Sequence, residues 1–221
     1  MALDPYRLAA PVYDLIFERM NRGLRAVALK LVPPSPGQTV LDIGCGTGLH
    51  LALYQERGCA AFGIDPSEAM LRQASRRLGD HLCRGDATAL PFAAGTFDLV
   101  TTTLVLHEMS PEVRRAVLAE AARVLRPDGR LLVIDFNPGP ARPLKGWLVR
   151  AFIRTAERVA GERHHKNYRQ FIASGGLPAL AGGSLALEQQ KIVGGGNMGI
   201  YVLRPRPGSA GASIRAATRS R

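Results

Sequence analysis

Gly44, Gly46 and Gly48 alternate within Val40-Leu41-Asp42-Ile43-Gly44-Cys45-Gly46-Thr47-Gly48, where a short apolar run gives way to a turn. Glycine suits positions that need a positive φ or a backbone lying against a ligand. Two carboxylates frame the loop: Asp42, two residues before the first glycine, and Asp65, 21 residues after it at the end of the next apolar run. A carboxylate at that distance can accept hydrogen bonds from a ribose diol. A dinucleotide fingerprint would need its third glycine where Leu49 stands, and a phosphate loop would continue into Lys-Ser/Thr. Asp42 would repel a pyrophosphate, whereas it would attract the ammonium of a methionine moiety, directly or through water. A bare tight turn would leave the placing of Asp65 unexplained.

The elements that position these residues alternate in type. Strands are predicted at Thr39–Ile43, Ala60–Ile64, His81–Arg84, Phe97–Thr103 and Arg130–Phe136. Helices are predicted at Gly48–Arg57, Ser67–Leu78 and Pro111–Leu125. In the last, Val113, Val117, Ala121, Val124 and Leu125 share a face, Ser110 can cap, and Pro111 suits the first helical position. Pro127-Asp128-Gly129 reads as a turn into the next strand. Strands joined by crossover helices imply a parallel sheet covered on both faces. Tyr6–Leu31 reads as helical with an interruption at Pro11, followed by a Pro/Gly linker. A basic helix is expected over Leu144–Ala160, then strands at Leu185–Val193 and Met198–Arg204.

These motifs together resemble the class I S-adenosylmethionine-dependent methyltransferases, in the group that includes the ubiquinone/menaquinone-biosynthesis methyltransferases. "VLDIGCGTG" resembles their first motif, "GIDPSEAML" the second strand with its ribose-binding Asp65, and "GDATALPFAAGTFDLVTTTLVLHEM" the adenine-binding turn. "EAARVLRPDGRLLVIDF" resembles the helix and strand that follow. The resemblance implies a Rossmann-like α/β sheet of seven strands, mostly parallel with the last antiparallel. It implies S-adenosyl-L-methionine as cofactor, held by Asp42, Gly44, Cys45, Gly46, Gly48, Asp65, Pro66, Asp86 and the Ala87 backbone. Tyr13 would close over the methionine end, and Thr103 would line the sulfonium pocket.

The donor would already be activated, so the protein's part is to set a nucleophile in line with the S–CH3 bond and exclude water. Such positioning lowers a barrier by about 7–11 kcal/mol, and a general base adds about two to four orders of magnitude. His107 and Glu108 are the candidate catalytic pair. Related O-methyltransferases carry Glu-His at this place, and here the order is His-Glu; a solvent-facing helix start is the other reading of the pair. Asn167 and Tyr168 could line an acceptor pocket, and His164 and His165 a groove. No spacing of Cys, His or acidic residues reads as a metal site.

The net charge of +11 is unevenly spread. Residues 142–169 carry eight Lys/Arg against two acids, and residues 204–221 carry five Arg and no acid, leaving the remainder balanced at sixteen of each. Leu144, Leu148, Ala151, Phe152, Thr155 and Val159 share one helical face, with Arg150, Arg154, Arg158 and Trp147 beside it. That helix either packs its apolar face on the sheet with a solvated Arg row, or lies on an anionic membrane surface. A nucleic-acid partner is disfavoured: the N/D-P-P-Y/F signature of base amino-methylation is replaced by Thr102-Thr103-Leu104-Val105, and aromatics are 6%. A small or lipid-like acceptor (a quinone precursor, phospholipid amine or small thiol) is the leading expectation. A cofactor-binding regulatory domain without turnover and an RNA methyltransferase are the alternatives.

Apolar residues at 46% and charged residues at 21% suit one globular domain. A helical cap over 1–37, a cofactor core over 38–137 and an acceptor side over 138–204 would form it, and 205–221 reads as a disordered basic tail. Residues 1–15 lack the pattern of a signal peptide, and three unpaired cysteines fit a reducing cytosol. A cytoplasmic protein, peripheral at the inner face of a membrane where the basic helix binds lipid, is the corresponding expectation.

Overall fold

The computed structural model describes residues 10–159 and 161–206, with side chains from 21 onward. In chain order the first elements are α1 (Ala10–Leu31), β1 (Thr39–Ile43), α2 (Leu49–Gln55), β2 (Ala60–Asp65), α3 (Glu68–Leu78), β3 (Leu82–Arg84) and β4 (Phe97–Thr103). A 3-10 turn (Leu106–Glu108), α4 (Pro111–Val124) and β5 (Leu125–Phe136) follow. Last come α5 (Lys145–Val159), α6 (Glu162–Ala173), α7 (Gly176–Leu180), β6 (Leu185–Val193) and β7 (Met198–Pro205). The strands form one sheet in the order β3-β2-β1-β4-β5-β7-β6. β1 to β5 pair in parallel, and β7 runs antiparallel to both β5 and β6.

Short buried runs make the central strands. Val40, Leu41, Ile43, Leu99, Val100, Leu131 to Ile134 and Ile200 to Leu203 are all essentially buried, because helices cover both faces of a parallel sheet. The helix starts are encoded locally. Ser67 accepts a hydrogen bond from the Met70 N–H at 3.2 Å, and Ser110 accepts one from the Val113 N–H at 3.4 Å with Pro111 behind it.

The described part of α1 starts at Ala10, next to Pro11, and residues 6–9 of the expected helix lie outside the described residues. Two expectations need correction. Pro127-Asp128-Gly129 does not separate two elements: β5 begins at Leu125, and its pairing jumps from Phe97↔Leu125 to Leu99↔Arg130, so the turn survives as a bulge beside Asp98. The second concerns α5. Its inward stripe is Gly146, Arg150, Ile153 and Glu157, with one large apolar residue among them. Leu144, Trp147, Leu148, Phe152 and Val159 stand 64–82% exposed, so the apolar face that would cover a sheet points away from it. Arg150 is half-buried, donating to Asn197 Oδ1 and the Gly139 carbonyl, each at 2.7 Å, so it is no part of a solvated Arg row. α6 and α7 were not expected from periodicity. Among the described residues no helix is long and apolar enough to cross a membrane.

Candidate active site

The strand order reverses direction between β1 and β4, and in open α/β sheets ligands bind beyond the carboxyl ends of strands at such a point. A cavity of about 660 Å³ lies there, within the usual range for small-ligand sites. Its wall contains Gly44, Gly46, Asp65, Pro66, Asp86, Ala87, Thr103 and Glu108, together with apolar Met70, Leu104, Val105 and Met109.

The three loop glycines do two different jobs. All have φ between 53° and 78°, the left-handed region. A Cβ on Gly44 would come within 2.5 Å of Val105 Cγ2, and one on Gly48 within 2.6 Å of Leu78 Cδ1, so these two glycines serve packing. Gly46 meets nothing within 4 Å, which leaves its face to a ligand. Its N–H donates to Asp65 Oδ2 at 2.9 Å, and the Ser67 N–H donates to Oδ1 at 2.8 Å. A carboxylate oxygen can accept more than one hydrogen bond, so bracing the loop is compatible with Asp65 accepting from ribose hydroxyls.

Asp42 and Cys45 do not reach the wall. Asp42 is buried between β2 and β4 and accepts from Thr101 Oγ1 at 2.6 Å. Burial raises its carboxyl to about 7, opposed by the Thr101 hydrogen bond and Arg25 and assisted by Asp65. Cys45 is also buried, and its Sγ lies where a Cβ on Gly63 would stand, 2.8 Å away. Tyr13 falls where side chains lie outside the described residues.

On the opposite wall, Thr103 Oγ1 is 3.0 Å from His50 Nδ1. His50 is buried, which lowers its imidazole to about 3 with help from Arg25, so it is neutral at any ordinary pH. Leu104 then takes φ 58°, a strained value for a branched side chain, and its N–H donates to the Ile134 carbonyl. That kink brings Val105 over Gly44 and directs the chain into the 3-10 turn. Nothing in the sequence marks Leu104 for this role.

His107 and Glu108 part company at this turn. Glu108 is on the cavity wall with a third of its side chain exposed, whereas His107 is buried behind it. His107 Nδ1 is 2.8 Å from Asp135 Oδ1, and its N–H donates to Oδ2 at 3.2 Å. Burial lowers the His107 pKa, but the Asp135 charge and hydrogen bond, with Glu108 and Glu157 farther off, raise it overall. Asn167 of α6 donates to the Glu108 carbonyl at 2.6 Å and fixes the turn from outside. Asp135, Glu157 and His50 were not singled out in the sequence. Asp135 and His50 meet His107 and Thr103 across 28 and 53 residues, and Glu157 meets His164 across the junction of α5 and α6, and no local pattern shows such pairs.

The family described as "Methyltransferase domain" matches residues 41–133. The demethylmenaquinone methyltransferase of Beutenbergia cavernae is 38% identical over 164 residues, covering 68% of each chain. That of Mycobacterium tuberculosis is 34% identical over 167 residues, covering 74% of this chain and 69% of the relative. Two solved S-adenosylmethionine-dependent methyltransferases share the fold at 21% identity. The one from Aquifex aeolicus has a TM-score of 0.57 with 81% and 89% coverage, and the one from Mesorhizobium loti 0.59 with 81% and 96%. The chain belongs to the class I S-adenosylmethionine-dependent methyltransferases, in the quinone-biosynthesis group. S-adenosyl-L-methionine is its cofactor and methyl transfer its reaction.

Proposed function

We propose that the protein methylates a quinone precursor, a lipid-like acceptor that reaches the cleft from an anionic membrane surface. The observation that carries this reading is the acceptor side of the cleft. There the carboxylate of Glu108 is set among Leu104, Val105, Met109 and Val113, which is what an apolar ring with an acidic hydroxyl requires. The names of the relatives point to the same acceptor class.

The bound cofactor supplies an electrophilic methyl group. The chain's residues hold and orient it: Gly44 and Gly46 through their backbone at the methionine end, and Asp65 at the ribose diol. Pro66, Asp86 and Ala87 flank the adenine, and Thr103, held by neutral His50, lines the methyl pocket. Asp42 acts from behind the loop, where a nearby ammonium would favour its charged form. Glu108 takes the proton the acceptor loses, and His107, clamped by Asp135, positions the turn that carries it. The outward face of α5, with Trp147 near its start and Lys145, Arg154 and Arg158 exposed beside it, has the composition of a helix lying in the interface of an anionic leaflet.

The test uses methyl-labelled cofactor with membranes of the host. Label should move into the organic phase on a quinone that gains one methyl by mass spectrometry, and Glu108→Gln should slow turnover at least roughly a hundredfold without weakening cofactor binding. Label confined to a water-soluble product would reject the acceptor.

A further inference from the structure

We propose that His107, Glu157 and His164 form a binding site for a divalent transition-metal ion of the zinc class. The three donors come from the 3-10 turn, α5 and α6, and His107 Nε2, the Glu157 carboxylate and His164 Nε2 all lie within 4.8 Å of one another. Zinc bonds of about 2.0–2.2 Å to nitrogen and oxygen place neighbouring ligand atoms a little over 3 Å apart, inside the spread already present.

The strongest argument is the placing of His107. Asp135 is fully buried and accepts from the His107 N–H, from the Phe136 N–H at 2.7 Å and from Nδ1. It offers that ring nitrogen only acceptor oxygens, so Nδ1 is the protonated, anchored nitrogen and Nε2 is the one presented to α5 and α6. Nε2 has Glu157 Oε2 at 3.8 Å and Glu108 Oε1 at 4.0 Å, both beyond hydrogen-bond range and with room for an ion between. Arg114, buried in the same region, is committed to the Leu106 and Met109 carbonyls. His164 Nε2 approaches Glu157 Oε2 to 2.6 Å, which brings the third donor to the same point.

The surroundings suit an ion of this class. Two imidazoles and a carboxylate are the donor set of zinc and its neighbours, whereas magnesium and calcium prefer oxygen alone. Asp135 holds the first imidazole as an outer-shell carboxylate does in zinc proteins. The rings of Phe136 and Tyr168 pack around His107 at 4.6 and 6.3 Å and limit water. The remaining position faces Glu108, so a bound ion would tie α5 and α6 to the turn that forms the cleft wall.

The site stands apart from the acceptor assignment, since its test reads metal rather than turnover. Untagged protein is stripped with a chelator and titrated with Co²⁺. One ion per chain should bind with the visible d–d absorption of a low-coordinate nitrogen/oxygen site, and Zn²⁺ should displace it. Zinc at about a hundred times its dissociation constant should raise the melting temperature by roughly 5–10 °C. Glu157→Gln and His164→Ala should lose the spectrum and the thermal shift, while His165→Ala keeps both. Absence of a cobalt spectrum in the wild type, or an unchanged one in Glu157→Gln, would overturn the site. If either variant fails to fold, the wild-type stoichiometry and zinc displacement decide the matter alone.

Discussion

The two sides of the switch point are built by opposite means. On the β1–β2 side, the groups at the cavity come from segments contiguous in sequence, and backbone geometry does most of the placing. Gly46 and Asp65 are joined by one hydrogen bond across adjacent parallel strands. On the β4–β5 side, the turn at Glu108 is held by side chains from distant elements: Asp135 28 residues on, and Asn167 59 residues on. The first half is a local design that tolerates changes elsewhere. The second is a set of long-range pairs that stands or falls with the helices after β5.

Gly46→Val breaks the local side most sharply. The residue has φ 53°, which a β-branched side chain avoids, and the space beside it is where a ligand would lie. Binding of S-adenosylhomocysteine by calorimetry should fall by roughly three orders of magnitude or more, with far-ultraviolet circular dichroism unchanged. Retained binding would mean that the cofactor does not pass over this loop.

Asp42→Asn separates burial from function on the same side. The unfolded carboxyl titrates near 3.8 and the folded one at about 7, so the folded state holds its proton longer. The stability tied to that proton is fully present below about pH 4 and is lost as pH rises to about 7. At pH 8 the Asn variant should therefore be the more stable, by up to about 4 kcal/mol relative to its standing at pH 4. The measurement is urea unfolding of both proteins at the two pH values. A difference that does not change with pH would show that Asp42 is ionised throughout.

The outward face of α5 tests the other side. Leu148→Glu with Phe152→Glu should cut co-sedimentation with anionic vesicles by roughly two orders of magnitude and leave the fold intact, since both side chains are exposed. Arg150→Gln should do the reverse. It removes charged hydrogen bonds to Asn197 and Gly139, of about 1.5–3 kcal/mol each, and lowers the melting temperature while sparing lipid affinity. Wild-type protein that stays in the supernatant even at low salt would reject the membrane surface.

The same contrast decides what the sequence discloses. The strand and helix order through β5 is legible because buried parallel strands are short apolar runs, and because Ser67, Ser110 and Pro111 mark helix starts by rules that act within four residues. Of the cavity wall, Asp65 follows from its position at a strand end, and Asp86 and Thr103 from the resemblance of their motifs to the family's. The packed reading of α5 fails by the same logic. A periodic apolar face implies burial only if something covers it, and here the inward stripe is held by Arg150 and Glu157 through polar pairs. Nor does periodicity reveal Leu104, whose strained φ depends on the Ile134 carbonyl 30 residues away.

Asp65→Ala is the mildest of these changes and the most discriminating. The carboxylate has two duties, bracing the Gly46 and Ser67 N–H groups and accepting from a ribose diol, and loss of either weakens binding. A single hydrogen bond to a charged group contributes about 1.5–3 kcal/mol, so affinity for S-adenosylhomocysteine should drop roughly tenfold or more. The two duties separate if the ligand is altered as well. An analogue lacking the ribose hydroxyls should already bind wild type less well. If Asp65 contacts the diol, the variant should treat the analogue and the parent ligand nearly alike, giving a coupling well above 0.5 kcal/mol in the double cycle. If the losses simply add, Asp65 serves the loop alone, and the ribose is held by another group on the wall.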